Sequence, residues 1–383
     1  MESHKKEIIK ATVPALEQHG TTITKVFYQT MFKKHPELLN MFNQTNQKVG
    51  DQPKALAFTV LQAARHIDNL EAIVPAVIGI AHKHRALNVL PEHYPIVGEN
   101  LLIGIKEVLG DAATPEIMDA WEEYYGEIAQ IFIDVENGMY QTADWDGFVP
   151  FEVVKKDHLS DDIVRYTVKN DTVEYDLRAG QYITVKVDPE DYPNEALRHY
   201  SICSISTDEG LQFAVKKEGA GEKSGVVSHY MHDDVKVGDT LELSAPAGDF
   251  LLNHEADKFL FIAGGVGATP VMAMIEEAIA ADKDSKFIYS VQNEGMHPFK
   301  DEMKAFSEEI DVKIKYSDTE GYLTHEDFEG LSDRSVYICG SMHFMNAMIK
   351  VLSEVGFKEE NIHFEPFGPK MSVIGETVAS ASN

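Results

Sequence analysis

The chain has 383 residues, more than one ordinary hydrophobic core accommodates, so two or three domains are expected. Hydrophobic residues make up 44% and charged residues 25%, the balance of a folded rather than a disordered protein. Against 34 basic residues stand 63 acidic ones, and the formal net charge of −29 argues against nucleic acid or an anionic membrane surface as partner.

The first residues, Met1 to Glu7, lack the apolar core of a signal peptide, and no run approaches the ~20 apolar residues that span a bilayer. Cys203 and Cys339 lie far apart and form neither a metal-binding nor a redox pair. These features lead us to expect a cytoplasmic protein without obligate membrane association, and a monomer is expected.

Up to about residue 140 the chain reads as helix after helix. Ile8, Ile9, Val13 and Leu16, then Ile23, Val26, Phe27, Met31 and Phe32, keep a three-to-four spacing. Stripes over Ile67–Ile80, Ile96–Leu109 and Ile117–Val135 continue it, punctuated by Pro36, Pro53, Pro75, Pro91 and Pro95. After Trp145-Asp146-Gly147 the period shortens. Phe151–Val154, Ile163–Val168, Tyr182–Val187, Tyr200–Ser204, Leu211–Val215 and Thr240–Leu243 predict six short strands, with a helix over Gly225–Met231. That pattern predicts a small antiparallel barrel or sandwich, of which a β-barrel is the reading adopted.

From about Asp257 apolar strands alternate with amphipathic helices. Strands are predicted over Phe259–Ala263, Phe287–Val291, Val312–Tyr316 and Val336–Cys339, and helices over Pro270–Ala281, Pro298–Phe306 and Met342–Val355. This is the grammar of a parallel α/β sheet. The fold class is therefore multidomain, with an all-α segment over 1–146, a β-barrel over 147–255 and an α/β domain over 256–383. The tail from Met371 is small and polar and is expected to fray.

Each third of the chain carries candidate chemistry. The strand Phe259–Ala263 runs into Gly264-Gly265-Val266-Gly267-Ala268-Thr269-Pro270, where glycines allow a tight turn and backbone N–H groups can meet a pyrophosphate. Thr269 is the expected N-cap and Pro270 the first helical residue. Cys339-Gly340-Ser341 closes a later strand at the same sheet edge. In the barrel, Arg198-His199-Tyr200-Ser201 places a cation, an aromatic ring and a hydroxyl on one strand, with Arg198 and Tyr200 on the face opposite His199 and Ser201. Gly225-Val226-Val227-Ser228 opens a helix and offers another anion site. In the helical third, His84 is a candidate haem ligand, with His82 two residues away as the alternative. Gln52 and Leu56 share a helix face.

Arg198–Ser201 resembles the Arg-x-Tyr-Ser motif of the ferredoxin–NADP reductase family. Gly225–Ser228, Gly264–Pro270, Cys339-Gly340-Ser341 and the ending Phe364-Glu365-Pro366-Phe367-Gly368-Pro369 are similar to its further motifs, in the same order. Gly264 stands where Ala is usual, and Pro366 where Cys is common. The helical part resembles a bacterial globin, and the whole chain resembles a flavohaemoglobin.

The resemblance implies haem b, FAD and NADH or NADPH as cofactors, and O2 and nitric oxide as small-molecule partners. It implies His84 as the iron ligand, Phe42 against the haem plane, and Tyr28, Gln52 and Leu56 around the distal pocket. Tyr94 and Glu136 stand where family members hydrogen-bond the ligating His, although a solvated end-of-helix acid is the plainer reading of Glu136. Flavin and nucleotide contacts are implied for Tyr182, for Arg198, His199, Tyr200 and Ser201, and for Gly225, Val226, Val227 and Ser228. They are implied also for Gly264 through Pro270 and for Cys339, Gly340, Glu365 and Phe367. The implied activity is a nitric oxide dioxygenase forming nitrate for nitric oxide detoxification. An O2-binding or sensing globin with a haem reductase, and a plain NAD(P)H:flavin reductase, stay open as alternatives. NADH is expected over NADPH, because Gln292-Asn293-Glu294-Gly295-Met296-His297 contains no Arg or Lys for a 2′-phosphate.

Overall fold

The computed structural model describes residues 1–42, 51–190, 192–221 and 225–367. Gly368, Pro369 and the tail from Met371 lie outside the described residues, so the end of the last motif does too.

The first third is helical: α1 (Ser3–Lys34), α2 (Asp51–Arg65), α3 (Val74–Ala86), α4 (His93–Leu109) and α5 (Pro115–Gln141). Phe27, Met31, Trp121 and Tyr124 lie in its main core. Gly104 lets α4 cross α1 closely, since a methyl there would lie 2.7 Å from the Ile23 carbonyl oxygen. The predicted stripe Ile67–Ile80 is not one helix, because α2 ends at Arg65 and a 3-10 turn, Leu70–Ile73, leads into α3. Pro53, Pro75 and Pro95 sit in the first turns of α2, α3 and α4, where no intrahelical N–H is needed.

Six strands follow: β1 (Phe148–His158), β2 (Ile163–Lys169), β3 (Tyr182–Val187), β4 (Ala196–Ser201), β5 (Leu211–Lys216) and β6 (Thr240–Ser244). Their order is β4-β3-β6-β1-β2-β5, all antiparallel. The Ile202–Phe213 bridge joins the two edges and closes the barrel. The fourth strand starts earlier than predicted, at Ala196, so Arg198 lies well inside it. Helix α6 (Val226–Asp233) sends Val227 and Met231 into the barrel core.

The last third is a five-stranded parallel sheet, ordered β11-β10-β7-β8-β9. Its strands are β7 (Lys258–Gly264), β8 (Asp284–Val291), β9 (Asp311–Tyr316), β10 (Ser335–Gly340) and β11 (Ile362–Pro366), with α7 (Ala268–Ala280), α8 (Lys300–Phe306) and α9 (Met342–Val355) beside them. The chain starts in the middle at β7, builds outward through β8 and β9, then returns to place β10 on the other side. Ligands of such sheets bind at that reversal, here the carboxyl ends of β7 and β10. β11 was not anticipated from the sequence.

Barrel and sheet share one core. Ile163, Ala179 and Cys203 of the barrel pack in the same cluster as Val271, Met272 and Met274 of α7. Arg165 pairs with Glu302, and Glu276 accepts hydrogen bonds from Ser204 Oγ and the Ile205 N–H, both at 3.0 Å. Among the described residues no helix is long and apolar enough to cross a membrane.

Candidate functional site

Three helices bring His84, Tyr94 and Glu136 together. Glu136 of α5 is 2% exposed, and its Oε1 lies 2.7 Å from both His84 Nδ1 and the Tyr94 hydroxyl. Tyr94 donates to that carboxylate and also lies 3.2 Å from Nδ1. A carboxylate acceptor holds the imidazole proton on Nδ1 and leaves the Nε2 lone pair outward. Nε2 makes no hydrogen bond among the described residues, which is the donor chemistry a haem iron requires. Burial, then the bond to Glu136, pushes the Tyr94 phenol well above its ordinary range, so it stays a donor at neutral pH. The ring of Phe132 lies 5.7 Å from that of His84. The end-of-helix reading of Glu136 as a solvated acid is therefore wrong.

Also in the helical third, Tyr28 of α1 is 7% exposed and lies 5.8 Å from the ring of Phe42. Phe42 and Leu56 pack on the cluster that contains Tyr28. Gln52 and Leu56 share α2, which a bond from Thr24 Oγ1 to the Pro53 carbonyl (2.7 Å) ties to α1.

In the barrel, β3–β4 register pairs Thr184 with His199 and Tyr182 with Ser201, one face, and Val185 with Arg198 and Ile183 with Tyr200, the other. The predicted alternation holds. His199 Nδ1 lies 2.8 Å from Thr184 Oγ1, and its ring 4.9 Å from that of Tyr182. Tyr200 stacks on Phe213 at 5.7 Å. Among the described residues the buried Tyr182 hydroxyl has no hydrogen-bond partner, an orphan that a bound polar group would satisfy. Arg198 bonds only the Leu197 carbonyl (2.7 Å) and has no ion pair among the described residues, so its charge is available to a phosphate. Gly225 is the N-cap of α6, and Val226 and Val227 open it. The hydroxyl of Ser228 is already used, donating to the Gly225 carbonyl and accepting from the Glu218 N–H, both at 3.1 Å. These residues fit an FAD cradle.

At the sheet reversal, Gly265 has φ +55°, and a 3-10 turn Gly265–Gly267 leads into α7. The N-cap of α7 is Gly267, not Thr269. Thr269 is already helical and donates its hydroxyl to the Val266 carbonyl (2.9 Å), and Pro270 is the third helical residue. Glycine is needed here mainly for packing. A methyl at Gly267 would lie 2.2 Å from the Cys339 carbonyl oxygen, and methyls at Gly264 and Gly340 would meet the Phe344 ring at 2.8 and 2.6 Å. Ala268 is completely buried beneath this turn. Cys339 is buried and donates to the Glu365 carbonyl (3.3 Å), and burial pushes its thiol well up. Burial pushes Cys203 up to about 12. Neither is a thiolate at neutral pH. Parallel pairing sets Glu365 beside Cys339, and Phe367 just beyond is 45% exposed.

Sequence reasoning missed the junction between helices and barrel. Arg85 donates to the carbonyls of Ala245 (3.3 Å) and Pro246, and His82 Nδ1 accepts from the Gly248 N–H at 3.3 Å. No periodicity signals such contacts.

The comparisons match these three parts. Residues 25–132 match a globin family model, 150–251 an oxidoreductase FAD-binding domain and 261–350 an oxidoreductase NAD-binding domain. The protein is thus an oxidoreductase in which a globin is joined to an FAD- and NAD-binding module, and its cofactors are haem, FAD and a nicotinamide nucleotide.

The chain belongs to the flavohemoprotein family. It is 42% identical to a flavohemoprotein of Bacillus subtilis, covering 96% of this chain and 97% of that one, and 43% identical to flavohemoprotein A of Dictyostelium discoideum, covering 96% and 98%. A crystal structure of flavohemoglobin from Malassezia yamatoensis with bound FAD and heme superposes with a TM-score of 0.85 at 27% identity, covering 96% and 99%.

The packing at the reversal makes a testable distinction between two glycines. Gly267→Ala should cost roughly 1–3 kcal/mol by overpacking. Gly265→Ala meets nothing within 4 Å and suffers only from its φ of +55°. Thermal unfolding should show the larger drop for Gly267→Ala, and an unchanged midpoint for that variant would contradict the packing argument.

Proposed function

We propose that the chain is a nitric oxide dioxygenase, converting nitric oxide and O2 to nitrate at a haem kept reduced by NAD(P)H through FAD. When bound, FAD takes a hydride and releases single electrons, and haem supplies an iron that accepts them one at a time. The observation that carries this reading is the His84–Glu136–Tyr94 set, in which a partly exposed imidazole is held by a buried carboxylate and a buried phenol. A carboxylate on Nδ1 makes the imidazole a stronger donor through Nε2, which suits activation of a ligand more than its storage. A Vibrio cholerae structure described as the flavohem-like FAD/NAD-binding domain of nitric oxide dioxygenase supports it, with a TM-score of 0.54 at 29% identity over 57% of this chain and 98% of that one.

In this reading His84 is the iron ligand, and Glu136 and Tyr94 fix its proton and orientation. Phe42 and Leu56 supply apolar walls, and Tyr28 with Gln52 the polar contacts. The Tyr28 phenol would stabilise negative charge developing on the substrate oxygen. Arg198 with the start of α6 would neutralise the FAD phosphates, and Tyr182, His199, Tyr200 and Ser201 would orient the flavin. The Gly264–Pro270 turn with Cys339 and Gly340 would receive the nicotinamide nucleotide, with Glu365 and Phe367 at its edge. The units proposed are 1–146, 147–255 and 256–383, in a cytoplasmic monomer that removes nitric oxide. Trp145, however, already packs in the barrel core and donates to the Leu243 carbonyl at 3.0 Å.

The ligand assignment is tested with His84→Ala. Haem retained on purification should fall by about tenfold or more, and nitric oxide consumption should fall with it. FAD content and reduction of a small artificial acceptor should persist, since those sites lie on a different core. A normal haem spectrum would overturn the assignment.

NADH is proposed over NADPH. Glu294 is exposed on the loop after β8, and Asp318 donates its N–H to the Gln292 carbonyl at 3.1 Å, which brings a second acid to that loop. Lys300 lies 3.6 Å from Glu294, a cation that the loop sequence alone did not reveal, and it offsets part of the repulsion. A kcat/KM about tenfold higher for NADH, equivalent to roughly 1.4 kcal/mol, is expected at matched ionic strength. An equal or higher value for NADPH would contradict the reading.

A further inference from the structure

The last turn of α3 faces two ways. His84 turns to Glu136 of α5, while Arg85, 7% exposed, reaches into the barrel domain. Its Nη2 donates to the carbonyls of Ala245 and Pro246, in the strap that follows β6. The same helix face adds three contacts. Ala86 is completely buried in a cluster with Tyr182 and Ala247. His82 Nδ1 accepts from the Gly248 N–H, and a methyl at Gly79 would lie 3.5 Å from Asp249 Oδ2. Gly79, His82, Arg85 and Ala86 are spaced by three, three and one, a single stripe laid along 245–249.

The strap is itself fixed to the flavin cradle. Tyr182 and Ala247 exchange both backbone hydrogen bonds at 2.8 Å. Tyr182 is the residue whose buried hydroxyl lacks a partner among the described residues. One short path therefore runs from the imidazole of His84, through Arg85 and the strap, to β3.

Arg85 has no ion pair among the described residues; carbonyl oxygens and the negative end of α3 compensate its charge. A buried cation held this way adds little stability that a well-packed apolar side chain would not also provide. What it does add is geometry, because the planar guanidinium accepts its partners only in a narrow range of positions.

We infer that Arg85 is a positioning residue for electron transfer between the flavin and haem sites, holding the strap, and with it β3, in register with the helix that carries His84. The inference rests on the functional reading above. Each NADH oxidised to NAD+ releases one proton to solvent and supplies two electrons, which two successive reductions of ferric to ferrous iron consume. Arg85 itself exchanges neither proton nor electron.

The test uses the full-length holoprotein with Arg85→Leu and Arg85→Lys. In stopped flow, flavin reduction by NADH should stay within about twofold, while reduction of the haem should slow by about tenfold or more in Arg85→Leu. Arg85→Lys, which keeps the charge and loses the fork, should recover part of that rate. Independently of turnover, amide exchange at Ala247 and Gly248 should speed up by about tenfold in Arg85→Leu, with Ile262 of β7 in the nucleotide sheet unaffected. Haem reduction as fast as in the parent chain, or equal slowing of flavin and haem reduction, would overturn the positioning role alone. A parent chain that binds flavin but never reduces a haem would overturn both this inference and the functional reading.

Discussion

The helical third is organised around one buried carboxylate. Glu136 is almost fully withdrawn from water, and leaving it unpaired there would cost several kcal/mol. Two donors offset that cost, Nδ1 of His84 and the hydroxyl of Tyr94. They come from α3 and α4, so satisfying one acid on α5 locks three helices in mutual register. The same bond decides which imidazole nitrogen carries the proton and leaves Nε2 with its lone pair outward, the nitrogen that the proposed function assigns to iron. Structure and chemistry therefore depend on a single interaction.

From α3 the constraint passes outward. The helix that presents His84 to Glu136 presents Arg85 and Ala86 to the strap beside β3, and the barrel is continuous with the nucleotide sheet through a shared core. The reductase part behaves as one packed body with two sheets, held by Arg165–Glu302 and by Glu276 under the Ser204–Ile205 turn. At the sheet reversal the glycines serve first to bring the turn after β7 onto the end of β10.

Much of this was legible in the sequence, because periodicity reports burial directly. Six barrel strands and four sheet strands were recognisable from alternating or continuous apolar runs, and the strand face shared by Arg198 and Tyr200 follows from a period of two. β11 was missed because it is a short edge strand whose pairing with β10 comes from tertiary contact rather than composition. Thr269 was misplaced because the 3-10 turn at Gly265–Gly267 starts the helical path early, so a residue with good capping chemistry falls inside the helix. The 3-10 turn Leu70–Ile73 within the Ile67–Ile80 stripe was hidden because the apolar residues run on through it. Arg85 gave no signal at all, since its partners are backbone carbonyls 160 residues away. Lys300 likewise reaches Glu294 on the loop after β8 only through the fold.

The most direct test of the functional conclusion is the product balance of the purified, haem- and FAD-loaded chain, supplied with nitric oxide, O2 and NADH. Dioxygenation consumes two nitric oxide and two O2 for each NADH and yields two nitrate, so nitrate should appear in a two-to-one ratio to NADH oxidised. NADH oxidation that proceeds with O2 uptake but without nitrate would contradict the account and leave a reductase with a globin attached.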